Sequence, residues 1–281
     1  MTTAVEPRDH TVEARGLRFH YVEWGEPDAP PIVILHGLSS MCRIWDTFAR
    51  DFQDRYHLIC LDQRGHGETT WPGEPAYSTD DYTGDLQALV DAWGLDRFVL
   101  MGLSMGGMNS MAYAARNPER VTHLVPVDIP PRAPRDPNSP QQIINKHVAE
   151  NGHPTFEDHE AALRAMRLTN QTTPDEPLRY RLRYLLKQLP DGRWTFMHDP
   201  KVSYYWQPAD LWEEVPKITC PTLIVRGGKS QVLSEKTALR MRDTFPSAEL
   251  VTIDEAGHTV PEDTQQEFIQ AVERFLGHHP V

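Results

Sequence analysis

The sequence predicts an α/β fold: a mostly parallel sheet flanked by helices, with a helical lid inserted over residues 130–212. Three observations predict it. Short apolar runs rich in β-branched residues alternate with longer segments of helical period. Those runs are apolar almost throughout, as strands covered on both faces must be. The rhythm then breaks once, between residues 130 and 212, where helical stretches follow one another with no strand between them.

Taken in order, "LRFHYVEWG" (17–25) alternates well enough for an early antiparallel strand. "PIVILHG" (31–37), "HLICLD" (57–62), "RFVLMG" (97–102), "VTHLVPVD" (121–128) and "PTLIVRG" (221–227) read as buried strands, and "AELVTID" (248–254) as a late one. Between them "MCRIWDTFARDF", "TDDYTGDLQALVDAW", "MGGMNSMAYAARN" and "SEKTALRMRDTF" read as helices. The terminal "PEDTQQEFIQAVERFL" begins with Pro261 in its first turn and puts Phe268, Ile269, Val272, Phe275 and Leu276 on one face, so it is expected to pack on the sheet. The lid opens with the turn-rich "PPRAPRDPNSP" and continues with "PQQIINKHVAENG", "FEDHEAALRAMRL" and "EPLRYRLRYLLKQL". This divides the chain into a first core part (1–129), a helical lid (130–212) and a second core part (213–281).

Composition narrows the function. With 281 residues and 39% hydrophobic content the chain can bury a substantial core. A net charge of −12 opposes a nucleic-acid footprint, which needs clustered Lys and Arg, so a small molecule is the expected partner. The opening "MTTAVEPRDHTVEARG" has no cationic or apolar leader region, and no run approaches the roughly 18 apolar residues of a membrane span. A soluble cytoplasmic protein, monomer or homodimer, is the default expectation. Cys42, Cys60 and Cys220 lie in apolar surroundings without metal-ligand spacing and read as buried free thiols; no metal site is expected.

The strongest chemical signal is "MGLSMGG" (101–107), in which Gly102, Ser104 and Gly106 match the G-x-S-x-G nucleophile elbow. A serine on a sharp strand-to-helix turn is held in strained dihedrals, and the flanking glycines let helix and strand approach each other, so the hydroxyl stands clear above the sheet. The free N–H groups and positive dipole end of the following helix favour a developing oxyanion. A glycine-rich turn with an incidental serine would carry the same pentapeptide, but the strand before it and the helix after it favour the elbow.

Together with "LHGL" (35–38), "DQRGHG" (62–67) and "AGHTVPED" (256–263), in that order, the elbow makes the chain resemble the α/β-hydrolase superfamily from about residue 15 to 278. The resemblance implies Ser104 as nucleophile and His258 as its base, since a neutral hydroxyl needs a base within hydrogen-bond reach. It also implies an eight-stranded sheet with the helical lid after its sixth strand, one strand more than the seven read above, the backbone N–H groups of Leu38 and Met105 as the oxyanion hole, and chemistry that needs no cofactor. Among the thirteen histidines, His36 and His66 sit in glycine-bearing loops and read as structural, while His198, among the lid aromatics, could touch substrate.

Relatives commonly place the triad acid after the strand equivalent to "PTLIVRG", but here the matching "GGKSQVLS" carries Gln231, with Ser230 the other polar occupant. Glutamine can hold an imidazole tautomer but cannot offset the charge of an imidazolium. "LVPVDIPP" ends in Asp128, where some members of the superfamily place the acid instead. Adjacent strands lie about 4.8 Å apart, so either strand end can reach the same histidine. Asp128 is therefore the expected acid; a carboxylate-free arrangement, or Asp128 serving only to orient the lid linker, is the alternative. The expected activity is hydrolysis of an ester or lactone through an acyl-enzyme. The lid aromatics, among them Trp194, Tyr204, Tyr205 and Trp206, suggest an apolar or aromatic substrate, with Trp206, Tyr205 and His198 as candidate contacts. Carbon–carbon bond hydrolysis of a diketone, cofactor-free oxygenation, and a binding protein with decayed catalysis remain as alternatives.

Overall fold

The structure, a computed structural model, describes residues 6–133 and 136–279. Pro134 and Arg135 of the expected linker, and the two ends of the chain, lie outside the described residues. The first part comprises β1 (Arg8–Ala14), β2 (Leu17–Trp24), β3 (Pro31–Leu35), α1 (Asp46–Phe52), β4 (His57–Leu61), α2 (Thr79–Ala92), β5 (Phe98–Leu103), α3 (Met105–Arg116) and β6 (Val121–Val127). An insertion follows, with α4 (Pro140–Asn151), β7 (Thr155–Phe156), α5 (His159–Arg167), α6 (Asp175–Leu185), β8 (Leu186–Gln188), β9 (Trp194–Phe196) and α7 (Val202–Tyr205). The chain then returns to the core through β10 (Thr222–Gly227), α8 (Glu235–Thr244), β11 (Ala248–Ile253), α9 (Val260–Asp263) and α10 (Gln265–His278).

Eight strands form one sheet in the order β1-β2-β4-β3-β5-β6-β10-β11. β1 and β2 join it antiparallel, and every pair from β4 to β11 is parallel. Strand alternation divides the core: Ile32 and Ile34 of β3 face a layer containing Phe48 of α1 and Phe268 of α10, while Val33 and Leu35 face Leu89 of α2, Met108 of α3 and Met241 of α8. Apolar burial on both faces is what makes β3, β4, β5 and β6 legible as mainly hydrophobic runs, interrupted only at His57, Thr122 and His123.

Three sequence expectations change. β1 (RDHTVEA) carries the eighth strand on an edge with no buried residue, so it lacks the apolar signal that marked the others. The insertion is not purely helical: β7, β9 and β8 form a small antiparallel sheet, and the "LKQ" read as a helix end is β8. The terminal helix is broken at Thr264 (φ −142°, ψ 64°) into α9 and α10, although Phe268, Ile269, Val272, Phe275 and Leu276 are all buried as expected.

The insertion is seated on the core by polar groups as well as apolar ones. Tyr180 of α6 donates to Asp46 of α1 at 2.5 Å, and Arg181 pairs with Glu262 of α9 at 3.4 Å. Burial outweighs the attraction of Arg181 and pushes the Glu262 carboxyl up from its ordinary 4.5 to about 7. Its folded value thus stands above its unfolded one, so its contribution to stability is fully present below pH 4.5 and is lost as pH rises through about 7. Glu262→Gln removes that loss. The variant is expected to gain up to about 3 kcal/mol on wild type between roughly pH 5 and pH 8, measured by denaturant unfolding at each pH. A stability difference that does not vary with pH would show that Glu262 is not held neutral.

Candidate active site

Ser104 joins β5 to α3 at φ 53° and ψ −119°, a conformation that L-residues avoid. The glycines around it explain how so tight a turn closes. A Cβ at Gly102 would stand 2.3 Å from the Gly106 carbonyl, and one at Gly106 would stand 2.5 Å from the Leu35 carbonyl oxygen. Strand, elbow and helix therefore touch backbone to backbone, which only hydrogen at these positions allows. Positive φ among the described non-glycine residues is confined to Arg15, Ser39, Ser104 and Asp128. Three of these lie in loops at the C-terminal ends of β3, β5 and β6, where strain of this kind tends to collect at functional sites.

Asp128, directly after β6, is fully buried. Its Oδ2 accepts the Nδ1 hydrogen bond of His258 at 2.7 Å and a second bond from the Ser230 hydroxyl, while its Oδ1 accepts the Gly227 N–H at 3.0 Å. The register explains the meeting, because β6 and β10 pair in parallel with Val127 beside Val225, so the ends of both strands open on the same side. The loop that lacks a carboxylate thus serves the one on its neighbour: Ser230 donates to it, and Gln231 is exposed. A carboxylate with two fixed donors of its own is held in one orientation as it receives the imidazole. With Nδ1 engaged, Nε2 is the ring nitrogen left to take a proton, and His258 retains 38% side-chain exposure.

The loop after β3 runs alongside Ser104, since a Cβ at Gly37 would lie 3.4 Å from the Ser104 Cβ. Leu38 and Met105 join Tyr77, Tyr82, Val202 and Trp206 in one small apolar cluster. Met105 is the first residue of α3, so its N–H has no acceptor within the helix. Two buried histidines shape this loop. His66 Nε2 accepts the Ser39 N–H at 3.0 Å, and His36 Nε2 accepts the Gln63 N–H at 3.0 Å. Each ring contacts a backbone carbonyl through Nδ1, His66 at Arg64 (2.9 Å) and His36 at Gly37 (2.7 Å). That pattern requires the neutral Nδ1–H tautomer, and burial lowers both pKa values, His66 to about 3.

The residues expected to meet substrate are placed differently from one another. Trp206 packs beside Leu38 and Met105. His198 is buried, stacked on His66 at 6.0 Å and edge-on to His153 at 4.2 Å, so it supports the loops more directly than it offers a contact surface. Tyr205 is 40% exposed and lines a surface hollow of about 240 Å³ with Pro137, Gln142, Tyr204 and Gln207. Trp194, in β9, lies against His159 with ring centres 4.3 Å apart.

One buried trio has metal-ligand chemistry: His20, Cys42 and Asp62 bring their donor atoms within 4.8 Å of one another. The Asp62 oxygens already accept the N–H groups of Cys42 (2.7 Å) and Glu68 (3.0 Å) and a bond from His20 Nδ1 (2.8 Å). Burial keeps the Cys42 thiol well above its ordinary pKa and so protonated. The trio is a hydrogen-bonded knot that shapes the turn at 62–67.

Residues 30–264 match the family described as alpha/beta hydrolase fold. Esterase YbfF of Escherichia coli (strain K12) is 28% identical over 88% of this chain and 92% of its own length. N-formylmaleamate deformylase of Pseudomonas putida is 26% identical over 95% of this chain and 96% of its own. Among solved structures, E-2-(acetamidomethylene)succinate hydrolase superposes with a TM-score of 0.86 at 24% identity, covering 97% of this chain and 100% of that one, a likeness of fold.

Proposed function

Because the chain belongs to the α/β-hydrolase family, we propose that it is a serine hydrolase that cleaves an ester or lactone of a small, apolar or aromatic substrate through an acyl-enzyme. The observation that carries this reading is the 2.7 Å contact between His258 Nδ1 and the buried Asp128 carboxylate, at the end of the strand that pairs with the one leading into the strained Ser104 elbow, Leu103 lying beside Val127. Relatives named as esterases and as hydrolases of other acyl compounds agree with it.

In this mechanism His258 Nε2 takes the Ser104 proton as the hydroxyl attacks the carbonyl carbon. The N–H groups of Leu38 and Met105 receive the oxyanion, and Asp128 stabilises the imidazolium. His258 then gives the proton to the leaving alcohol and the acyl-enzyme forms; a water deprotonated by the same ring attacks the acyl carbon, and the ring returns that proton to Ser104 Oγ as the acid is released. No cofactor takes part. The insertion acts as a lid whose aromatic residues, Trp206 foremost, favour apolar acyl or alcohol groups.

The test is covalent labelling of Ser104 by a fluorophosphonate, read by mass spectrometry, beside turnover of p-nitrophenyl esters, a lactone series and an N-formyl amide. Fast labelling of the folded protein with ester or lactone turnover is the expected result. Labelling no faster than that of the denatured protein would overturn the reading in favour of a binding role for the fold.

A further inference from the structure

We propose that Asp263 is a positioning residue which fastens the loop of the catalytic histidine to the insertion, so that His258 is correctly placed only while the insertion is seated. This rests on the serine-hydrolase reading of Ser104 and His258. Asp263 ends α9, five residues beyond His258. Its carboxylate joins two pieces of chain that are distant in sequence. Oδ2 accepts the Gly257 N–H at 2.7 Å and the Thr172 hydroxyl at 2.7 Å, and Oδ1 accepts the Thr173 hydroxyl at 2.5 Å. Gly257 immediately precedes His258, and Thr172 and Thr173 lie in the insertion between α5 and α6.

The contact is close enough to constrain the backbone. A Cβ at Gly257 would meet Thr172 Oγ1 at 2.2 Å, so the histidine loop is pressed against the insertion and any larger residue there would displace the Thr172 side chain. Three donors on one ionised carboxylate form charge-assisted bonds, stronger than neutral ones and more selective for a single geometry. Asp128 fixes the imidazole ring from its other side, but it cannot fix the loop that carries the ring. Asp263 does that, and it acts through the Gly257 amide without touching the ring. The neighbouring Glu262 contact with Arg181 brings the same two segments together, but its carboxylate makes no bond to the histidine loop. On the opposite side of the machinery the Ser39 and Ser203 hydroxyls lie 2.9 Å apart, tying the loop after β3 to α7. Both catalytic loops are thus referenced to the insertion, the histidine loop through a charged group.

Asp263→Asn keeps the shape but places an NH2 group against at least one of the three donors. Displacing a catalytic group by about 1 Å can cost about 10²-fold, so kcat for a p-nitrophenyl ester is expected to fall by roughly 10- to 100-fold with KM little changed. Thr172→Val combined with Thr173→Val, which removes the insertion's half of the contact, is expected to lower kcat in the same way. The second readout needs no substrate: a far-downfield NMR resonance of the His258 Nδ1 proton is expected in the wild type, and it is expected to shift or to exchange faster in both variants. Wild-type kcat together with an unmoved resonance in either folded variant would overturn the proposal, and if Asp263→Asn fails to fold the threonine pair decides alone. A wild-type protein that neither labels nor turns over would instead defeat the hydrolase reading, and the resonance would still report whether Asp263 holds the loop.

Discussion

Asp128→Asn is expected to lower kcat for ester hydrolysis by about 10⁴, while Gln231→Ala leaves it close to wild type. The size of the first effect follows from how many bonds the carboxylate manages in a buried place. Oδ1 accepts the Gly227 N–H, and Oδ2 accepts from both His258 Nδ1 and Ser230. An asparagine oxygen can keep only one of these two positions. With the oxygen left on Gly227, its NH2 group points at the imidazole and forces Nδ1 to accept. The ring proton then sits on Nε2, the nitrogen that must receive the Ser104 proton, so the base is in the wrong tautomer and the imidazolium has lost its counter-charge. Gln231 makes no such demand, because its side chain is exposed and Ser230 is the residue of that loop that reaches the acid. Steady-state kinetics of the two variants on one ester decide the matter. Near-normal turnover by the asparagine variant would remove Asp128 from the triad.

The parts of this arrangement that a sequence displays are those written in local chemistry. Ser104 was legible because sterics demand small neighbours on both sides of a strained turn, and Gly102 and Gly106 are those neighbours. The central strands were legible because burial on both faces leaves a mainly apolar run. β1 was not, since an edge strand with exposed and half-exposed residues looks like any polar segment. The insertion's small sheet was hidden for a related reason: strands of two or three residues carry too few positions for alternation to register. Asp128 stood out only through a missing acid elsewhere, and the bond that makes Ser230 useful to it spans 102 positions of sequence. Asp263 and its threonines are separated by 90 and 91 positions, and nothing in either segment alone marks them as partners.

Ser104→Ala is expected to lower kcat by about 10⁶, and adding Asp128→Asn to it should lower kcat hardly further. In the proposed mechanism Asp128 acts on the reaction only through His258, and every proton that His258 moves serves the making or breaking of the bond between Ser104 and the acyl group; once the hydroxyl is gone, the acid has nothing left to improve. The activity that remains would come from substrate binding and from the Leu38 and Met105 N–H groups, which neither substitution removes. Multiplying losses in the double variant would show instead that the two residues work independently, and the proposed relay would be wrong. Stability should move in the opposite direction to activity. Ser104 is held at φ 53° and ψ −119°, a conformation costing on the order of 1–3 kcal/mol for a residue with a side chain. Ser104→Gly relieves that strain, offset by the roughly 0.5–1 kcal/mol that a glycine adds to the entropy of the unfolded chain. The glycine variant is therefore expected to be inactive yet about 1 kcal/mol more stable than wild type in urea unfolding, with Ser104→Ala showing no such gain because its Cβ retains the clash. A glycine variant less stable than the alanine one would mean that the elbow is not strained, and that its geometry is the relaxed conformation of this turn.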